Sequence, residues 1–239
     1  TAATESYNGS SWTEVNDMNT ARNGFGGAGT QTSSLGYGGE PLTGITESWN
    51  GTNWTEVADL NTARYGLAGN SIGADNTSAL VTGGSTAPET AVTELWNGSS
   101  WAEVADLNTG RSGIAAFGIS TAAIAAGGYP ARAITESWNG TNWTEVADLN
   151  TARHLVAGSG IQTLGLVFGG QTPTPVANTE LWNGSAWTET TDLNTARASL
   201  AAAGTQTAAL AFGGNTSPRQ QTEEFTGAGA SVTRTFDVT

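Results

Sequence analysis

The chain has no cysteine and no lysine, and only one histidine and one methionine in 239 residues. The missing cysteines exclude disulfides, thiolate nucleophiles and Cys-ligated zinc. The lone His154 has no second histidine to share a metal, and a catalytic role would need a nucleophile or metal cluster beside it. With lysine absent, all eight basic residues are arginine, and 21 acidic residues bring the net charge to −13. Such a charge repels nucleic-acid backbones and anionic lipid surfaces, so neither is an expected partner. No apolar run approaches the about 20 residues of a membrane helix, and no membrane insertion is expected. No secretory leader is visible, and a chain that does not begin with Met is expected to be a processed product or part of something longer. Only 12% of residues are charged. Gly, Thr, Ala, Ser and Asn dominate instead, a composition of short strands and tight turns.

What the chain does have is one phrase written five times. Thr-Glu-x-(Trp/Tyr)-Asn-Gly-x-x-Trp-x-Glu begins at Thr4, Thr46, Thr93, Thr135 and Thr179, and Asp-(Leu/Met)-Asn-Thr-(Ala/Gly)-Arg follows each copy. The closing arginines, Arg22, Arg64, Arg111, Arg153 and Arg197, stand 42 to 47 residues apart. A stretch of small residues follows each and ends in Gly-Gly. A period of this length marks a repeat architecture. No linker separates halves, so a single domain over residues 1–239 is expected.

The second copy gives the unit. Thr46-Glu47-Ser48-Trp49 alternates as a short strand, Asn50-Gly51 is expected to supply the φ > 0 positions of a tight turn, and Trp54-Thr55-Glu56-Val57 returns. Asp59-Leu60-Asn61-Thr62 reads as a polar loop. Beyond Arg64 come Gly66, Leu67, Ala68 and Gly69, then a buried strand Ser78-Ala79-Leu80-Val81-Thr82 ending in Gly83-Gly84. Four short strands in about 43 residues is the unit of a propeller blade. Small-residue strands such as Gly26-Gly27, Ala115-Ala116 and Ala201-Ala202-Ala203 suit the crowded axis, while tryptophans fill the wider space between blades.

Strand, Gly-Gly, loop, aromatic, turn, Trp, loop, Arg resembles the grammar of kelch repeats. The double glycines are Gly38-Gly39, Gly83-Gly84, Gly127-Gly128, Gly169-Gly170 and Gly213-Gly214, and the aromatic pairs run from Tyr7/Trp12 to Trp182/Trp187. The resemblance implies an all-β fold, a single β-propeller of four-stranded blades. Five blades are expected, with six the alternative. The copper ligands of kelch-fold oxidases are missing here. Near-identical copies of the Trp-Asn-Gly and Asp-Leu-Asn-Thr-Ala-Arg type also resemble repeat proteins predicted in marine bacteriophages, which implies a virion role.

Five Arg-to-Gly-Gly halves face six Thr-Glu hairpin halves, because a divergent one begins at Thr222 and runs to Val238. Either the N-terminal hairpin, Thr4 to Val15, completes the last blade, or the C-terminal one does and the N-terminal hairpin is spare. A surplus hairpin is an unpaired edge, expected to recruit a neighbouring protein.

Residues present five times are read as building rules. The arginines are expected in buried Arg–Glu or Arg–Asp bridges rather than as forks for carboxylated ligands. One Asp and one Asn per loop suit turn capping better than a Ca²⁺ cage. Paired tryptophans suit a core better than sugar platforms. Asn-Gly-Ser/Thr at Asn8, Asn50, Asn97, Asn139 and Asn183 reads as a hairpin turn rather than a glycosylation site. No cofactor, metal or catalytic residue is expected.

Function is expected where the copies disagree. The segments after Gly-Gly differ most, and all contain proline: residues 40–44, 85–92, 129–133, 171–178 and 215–221. They are expected to gather on one face, with the insertion Gly73-Ala74-Asp75-Asn76 on the other. Rigidly mounted variable loops are the usual place for recognition. Glu40, Pro41, Glu89, Tyr129, Arg132, Pro173, Pro175 and Arg219 are the candidate ligand-binding residues, with His154 a further singular residue. The expected function is a non-catalytic binding or structural module, such as a phage fibre, tip or decoration. It would be extracellular or virion-associated, and would recognise a protein partner or a surface glycan. A secreted multivalent lectin is the alternative, and a glycan-acting enzyme a second one, its carboxylates drawn from glutamates such as Glu40, Glu89 and Glu224.

Overall fold

The computed structural model describes residues 2–67, 70–217, 221–227 and 232–235. These form strands, turns and loops with no helix among them. The chain opens on a hairpin of β1 (Thr4–Tyr7) and β2 (Trp12–Val15). Five four-stranded antiparallel units follow. The first is β3 (Gly26–Thr30), β4 (Ser33–Tyr37), β5 (Thr46–Trp49) and β6 (Trp54–Val57). The second is β7 (Asn70–Asp75), β8 (Ser78–Thr82), β9 (Thr93–Trp96) and β10 (Trp101–Glu103). The third comprises β11 (Ala115–Ile119), β12 (Ala122–Ala126), β13 (Thr135–Trp138) and β14 (Trp143–Glu145). The fourth has β15 (Ala157–Ile161), β16 (Leu164–Phe168), β17 (Thr179–Trp182) and β18 (Trp187–Glu189). The last has β19 (Leu200–Thr205), β20 (Ala208–Gly213), β21 (Gln221–Phe225) and β22 (Val232–Thr235).

In every unit the strands pair in chain order. The first strands β3, β7, β11, β15 and β19 stand side by side in sequence, and a parallel pairing of β7 with β11 joins two units into one curled eight-stranded sheet. The architecture is all-β and β-propeller-like. The C-terminal hairpin, not the N-terminal one, completes the last unit: β21 pairs with β20 from Ala209↔Phe225 to Phe212↔Thr222.

Residue choice explains the packing. Small first-strand residues let neighbouring units approach, and Ala115, Ala116 and Ala157 are fully buried where they meet. Aromatics of the third and fourth strands sit directly opposite one another. Trp96 faces Trp101, and their tilted rings lie 5.3 Å apart, a geometry favoured by the ring quadrupoles. The same two tryptophans pack on Leu35, Tyr37, Leu60 and Leu67 of the preceding segment, so each core lies between units.

Two local expectations are revised. Only Gly51 of the Asn50-Gly51 pair takes positive φ, +90°. Asn50 Oδ1 instead accepts the backbone N–H groups of Thr52 and Asn53, both at 2.9 Å, so a four-residue loop closed by an Asx cap replaces the two-residue turn. The insertion at 73–76 is mostly strand: β7 runs to Asp75 with a bulge between Gly73 and Asp75. Ala68 and Gly69 lie outside the described residues.

The arginines do find carboxylates, and each belongs to the third strand of its own unit. Arg22 reaches Glu47 at 3.4 Å, Arg64 reaches Glu94 at 3.1 Å, Arg111 reaches Glu136 at 2.5 Å and Arg153 reaches Glu180 at 3.0 Å; Arg197 pairs with Glu223. All ten side chains are buried. The other carboxylate oxygen is held from the same segment as the arginine: Glu136 Oε2 accepts Asn108 N and Asn108 Nδ2, both at 2.7 Å. Asn108 Nδ2 also donates to the Trp143 carbonyl at 3.2 Å. The aspartate of the same loop caps the third strand of the preceding unit, as Asp106 Oδ1 accepts Thr93 N at 3.0 Å. Burial pulls the guanidinium pKa of Arg111 below its usual value, opposed by Glu136, but an arginine this basic stays charged.

Removing one member strands a buried charge. Arg111→Met is therefore expected to lower stability by about 3–5 kcal/mol in urea denaturation. Adding Glu136→Leu should recover only part of that loss, because Asn108 then loses its acceptor; full recovery would show that the asparagine contributes nothing.

Candidate functional site

The residue after each arginine pairs through its backbone with the residue after each Gly-Gly: Asn23 with Glu40, Tyr65 with Ser85, Ser112 with Tyr129 and His154 with Gln171. In the last unit Asn215 N donates to the Ala198 carbonyl at 2.9 Å. One residue further on, Gly24, Gly66, Gly113, Leu155 and Ser199 all have positive φ, between 53° and 70°. This left-handed step turns the chain inward so that units are stitched by their backbones. Leu67 N donates to Gly24 O at 2.9 Å, Gly113 N to Gly66 O at 2.8 Å, Leu155 N to Gly113 O at 2.7 Å and Ser199 N to Leu155 O at 3.0 Å. The paired residues therefore form a collar at one end of the molecule, in equal register but with unlike side chains.

The Pro-containing loops continue from this collar, so most of the sequence-based candidates share one end. Glu40 and Pro41 are exposed beside Asn23. Glu89 is half-buried, bridged to Ser85. Pro175 is bridged to Gln171 and Pro173 is exposed next to it. Arg219 lies outside the described residues. These groups belong to different units and do not converge.

Tyr129 does meet His154, and the backbone of Arg132 lies beside that histidine. The Tyr129 ring, 49% exposed, meets the His154 ring edge to face at 5.3 Å between centroids. The Arg132 carbonyl accepts Arg153 N at 3.0 Å, which places its backbone one residue from the histidine. In three other units that position is held by Thr43, Thr90 and Val176, whose carbonyls accept the equivalent arginine N–H. Nε of Arg132 and Nδ1 of His154 are both buried and find no hydrogen-bond acceptor or donor among the described residues. An aromatic face set against an imidazole can hold a planar group by stacking and hydrogen bonding.

The collar itself was only half anticipated. The signal was there in the residues that differ just after the constant Arg and Gly-Gly, namely Asn23, Tyr65, Ser112, Gln171 and Asn215. The repeated groups are used internally: the arginine forks by glutamates and the loop aspartates by backbone N–H groups, as Asp59 Oδ1 accepts Thr46 N at 3.1 Å. Trp49, Trp96, Trp138 and Trp182 are buried. No protein-family model matches the chain, and a comparison with curated proteins finds no match.

Burial lowers the pKa of His154, with its backbone contact to Gln171 opposing weakly. The folded chain thus prefers neutral imidazole. As pH falls through about 6.5, the unfolded chain takes up a proton that the folded chain resists, and stability drops. His154→Asn should flatten the change in denaturation midpoint between about pH 7.5 and about pH 5.5. An unchanged pH dependence would show that the ring is freely solvated.

Proposed function

We propose that this chain is a non-catalytic binding module, a kelch-like propeller of five blades in an extracellular or virion-associated assembly such as a fibre, tip or decoration. It recognises a protein or a surface glycan through the collar and loops at one end. The observation that carries this reading is the contrast within each unit. Residues that build the scaffold are the same from copy to copy, while residues at equal register on the collar run Asn, Tyr, Ser, His and Ala, and Glu, Ser, Tyr, Gln and Asn. Unlike side chains on a rigid mount suit recognition of one asymmetric partner. They speak against the lectin alternative, which would place a like pocket in every unit.

The Tyr129–His154 pair, with Arg132 in the same loop as Tyr129, is the expected anchor, since aromatic and arginine side chains contribute most to binding. The combined variant Tyr129→Ala and Arg132→Ala should weaken binding to host cells or arrayed glycans by about tenfold or more, with the thermal midpoint preserved because neither side chain is buried in a core. Equal binding by this variant would move recognition to another part of the collar. Detection of the chain in purified virus-like particles tests the virion assignment, and its recovery only as a free protein counts against it.

A further inference from the structure

The turns between first and second strands, at residues 30–33, 75–78, 119–122, 161–164 and 205–208, lie at the end of the molecule away from the collar. The turns between third and fourth strands, at residues 50–53, 97–100, 139–142 and 183–186, pack against them. A Cβ on Gly51, Gly98, Gly140 or Gly184 would lie 3.3–3.4 Å from the carbonyl of Thr32, Thr77, Thr121 or Thr163. Of all these turn residues only Asp75 is charged. Its carboxylate is taken up by its own turn, accepting Thr77 N at 2.8 Å and Thr77 Oγ1 at 2.6 Å. The exposed acidic groups stand elsewhere: Asp59, Asp106 and Asp148 at the collar end, and Glu56, Glu103 and Glu145 along the outer strands.

Much of the polar surface of the turn end is already paired inward. The Ser120 and Gln162 carbonyls accept the indole N–H groups of Trp138 and Trp182 at 2.9 and 2.8 Å. Gln206 Nε2 donates to the Trp182 carbonyl at 2.6 Å, and Asn139 Oδ1 accepts Thr141 N and Asn142 N, both at 2.9 Å. Groups paired in this way lose little when water is removed from above them. On one side the end is also apolar. Ile119 and Ile161 close the neighbouring first strands β11 and β15, where Thr30, Asp75 and Thr205 close the others. Leu164 opens β16. These three side chains are 45%, 55% and 46% exposed.

We propose that the turn end docks a second copy of this chain, turns against turns, about a two-fold axis beside Ile161 that brings the two apolar sides together. Charge selects this occupant. At a net charge of −13, copies meeting by collars or outer strands would set carboxylates against carboxylates, which opposes association. The turn end is where two such chains meet without that repulsion, and charge depletion around apolar side chains is the composition of interface cores. A two-fold contact needs one surface that matches itself, and uncharged turns meet that condition as an acidic or basic patch does not. The dimer leaves both collars uncovered and facing apart, so that two partner sites can be held at once. The inference does not depend on what the collar binds.

Sedimentation of the full chain from micromolar to submillimolar concentration tests this. A monomer–dimer equilibrium is expected, and it should hold or strengthen as salt rises, because screening relieves the repulsion between the acidic bodies. Ile161→Asp and, separately, Ile119→Asp should each raise the dimer dissociation constant by about tenfold or more. Thr144→Asp, which adds the same charge on the outer strand β14, should leave it unchanged. All three side chains are exposed, and an unaltered circular dichroism spectrum checks that each variant keeps its fold. A chain that stays monomeric throughout overturns the proposal, as does a dimer that dissociates in salt or that Thr144→Asp weakens as much as Ile161→Asp. Binding of a monomeric chain to neutral arrayed glycans that Ile161→Asp abolishes would give this end to a sugar and also overturn it.

Discussion

Everything else in the molecule is arranged around a buried carboxylate. In each unit a third-strand glutamate takes an arginine on one oxygen and an asparagine on the other, and both donors come from the segment that enters the unit. An unpaired carboxylate in such surroundings would be severely destabilising. The glutamate therefore dictates that the entry segment, the first strand and the third strand be in place together. The asparagine also takes a fourth-strand carbonyl, as Asn61 takes that of Trp101, so a single polar cluster ties the unit from its inner to its outer edge.

That local self-sufficiency leaves the contacts between units to simpler means: interleaved tryptophans, small residues and backbone hydrogen bonds. None of these constrains most of the side chains after the arginine or after Gly-Gly, because those positions pair through their backbones, Asn215 alone adding its side chain, whose Oδ1 accepts Ala198 N. Freedom at the collar is thus a result of how the scaffold is held. The left-handed step shows the same division. Glycine fills it three times, and Leu155 and Ser199 fill it at φ 53° and 56°. At those two places the surrounding pairing holds a backbone that a side chain disfavours.

Much of the fold was legible in the sequence because the repeat averages away local ambiguity. Strand positions, the tryptophan core and the internal role of the arginines all follow from period, alternation and the scarcity of other cations. Three things were not legible. The choice of a third-strand glutamate, Glu136, over an aspartate as the partner of Arg111 depends on strand order, which spacing alone does not fix. The Asn50 cap and the two-residue turn share the same letters, and only dihedral angles separate them. Most of all, Thr4 and Thr222 begin hairpins of the same kind, and either satisfies the last Gly-Gly half on paper. Pairing of β21 with β20 decides between them. Of the candidate site, the loops were foreseen as a group. The meeting of Tyr129 with His154 was not, since their ring contact joins two units.

The polar cluster of each unit closes within a single contiguous stretch, as Arg111 and Glu136 lie 25 residues apart. A copy of that stretch made by recombination between near-identical coding repeats would arrive with its own charges already matched. Gain or loss of a unit would then leave no buried ion without its partner. A lineage built on this chain has an open route to longer and shorter descendants, with new collar residues introduced at each duplication.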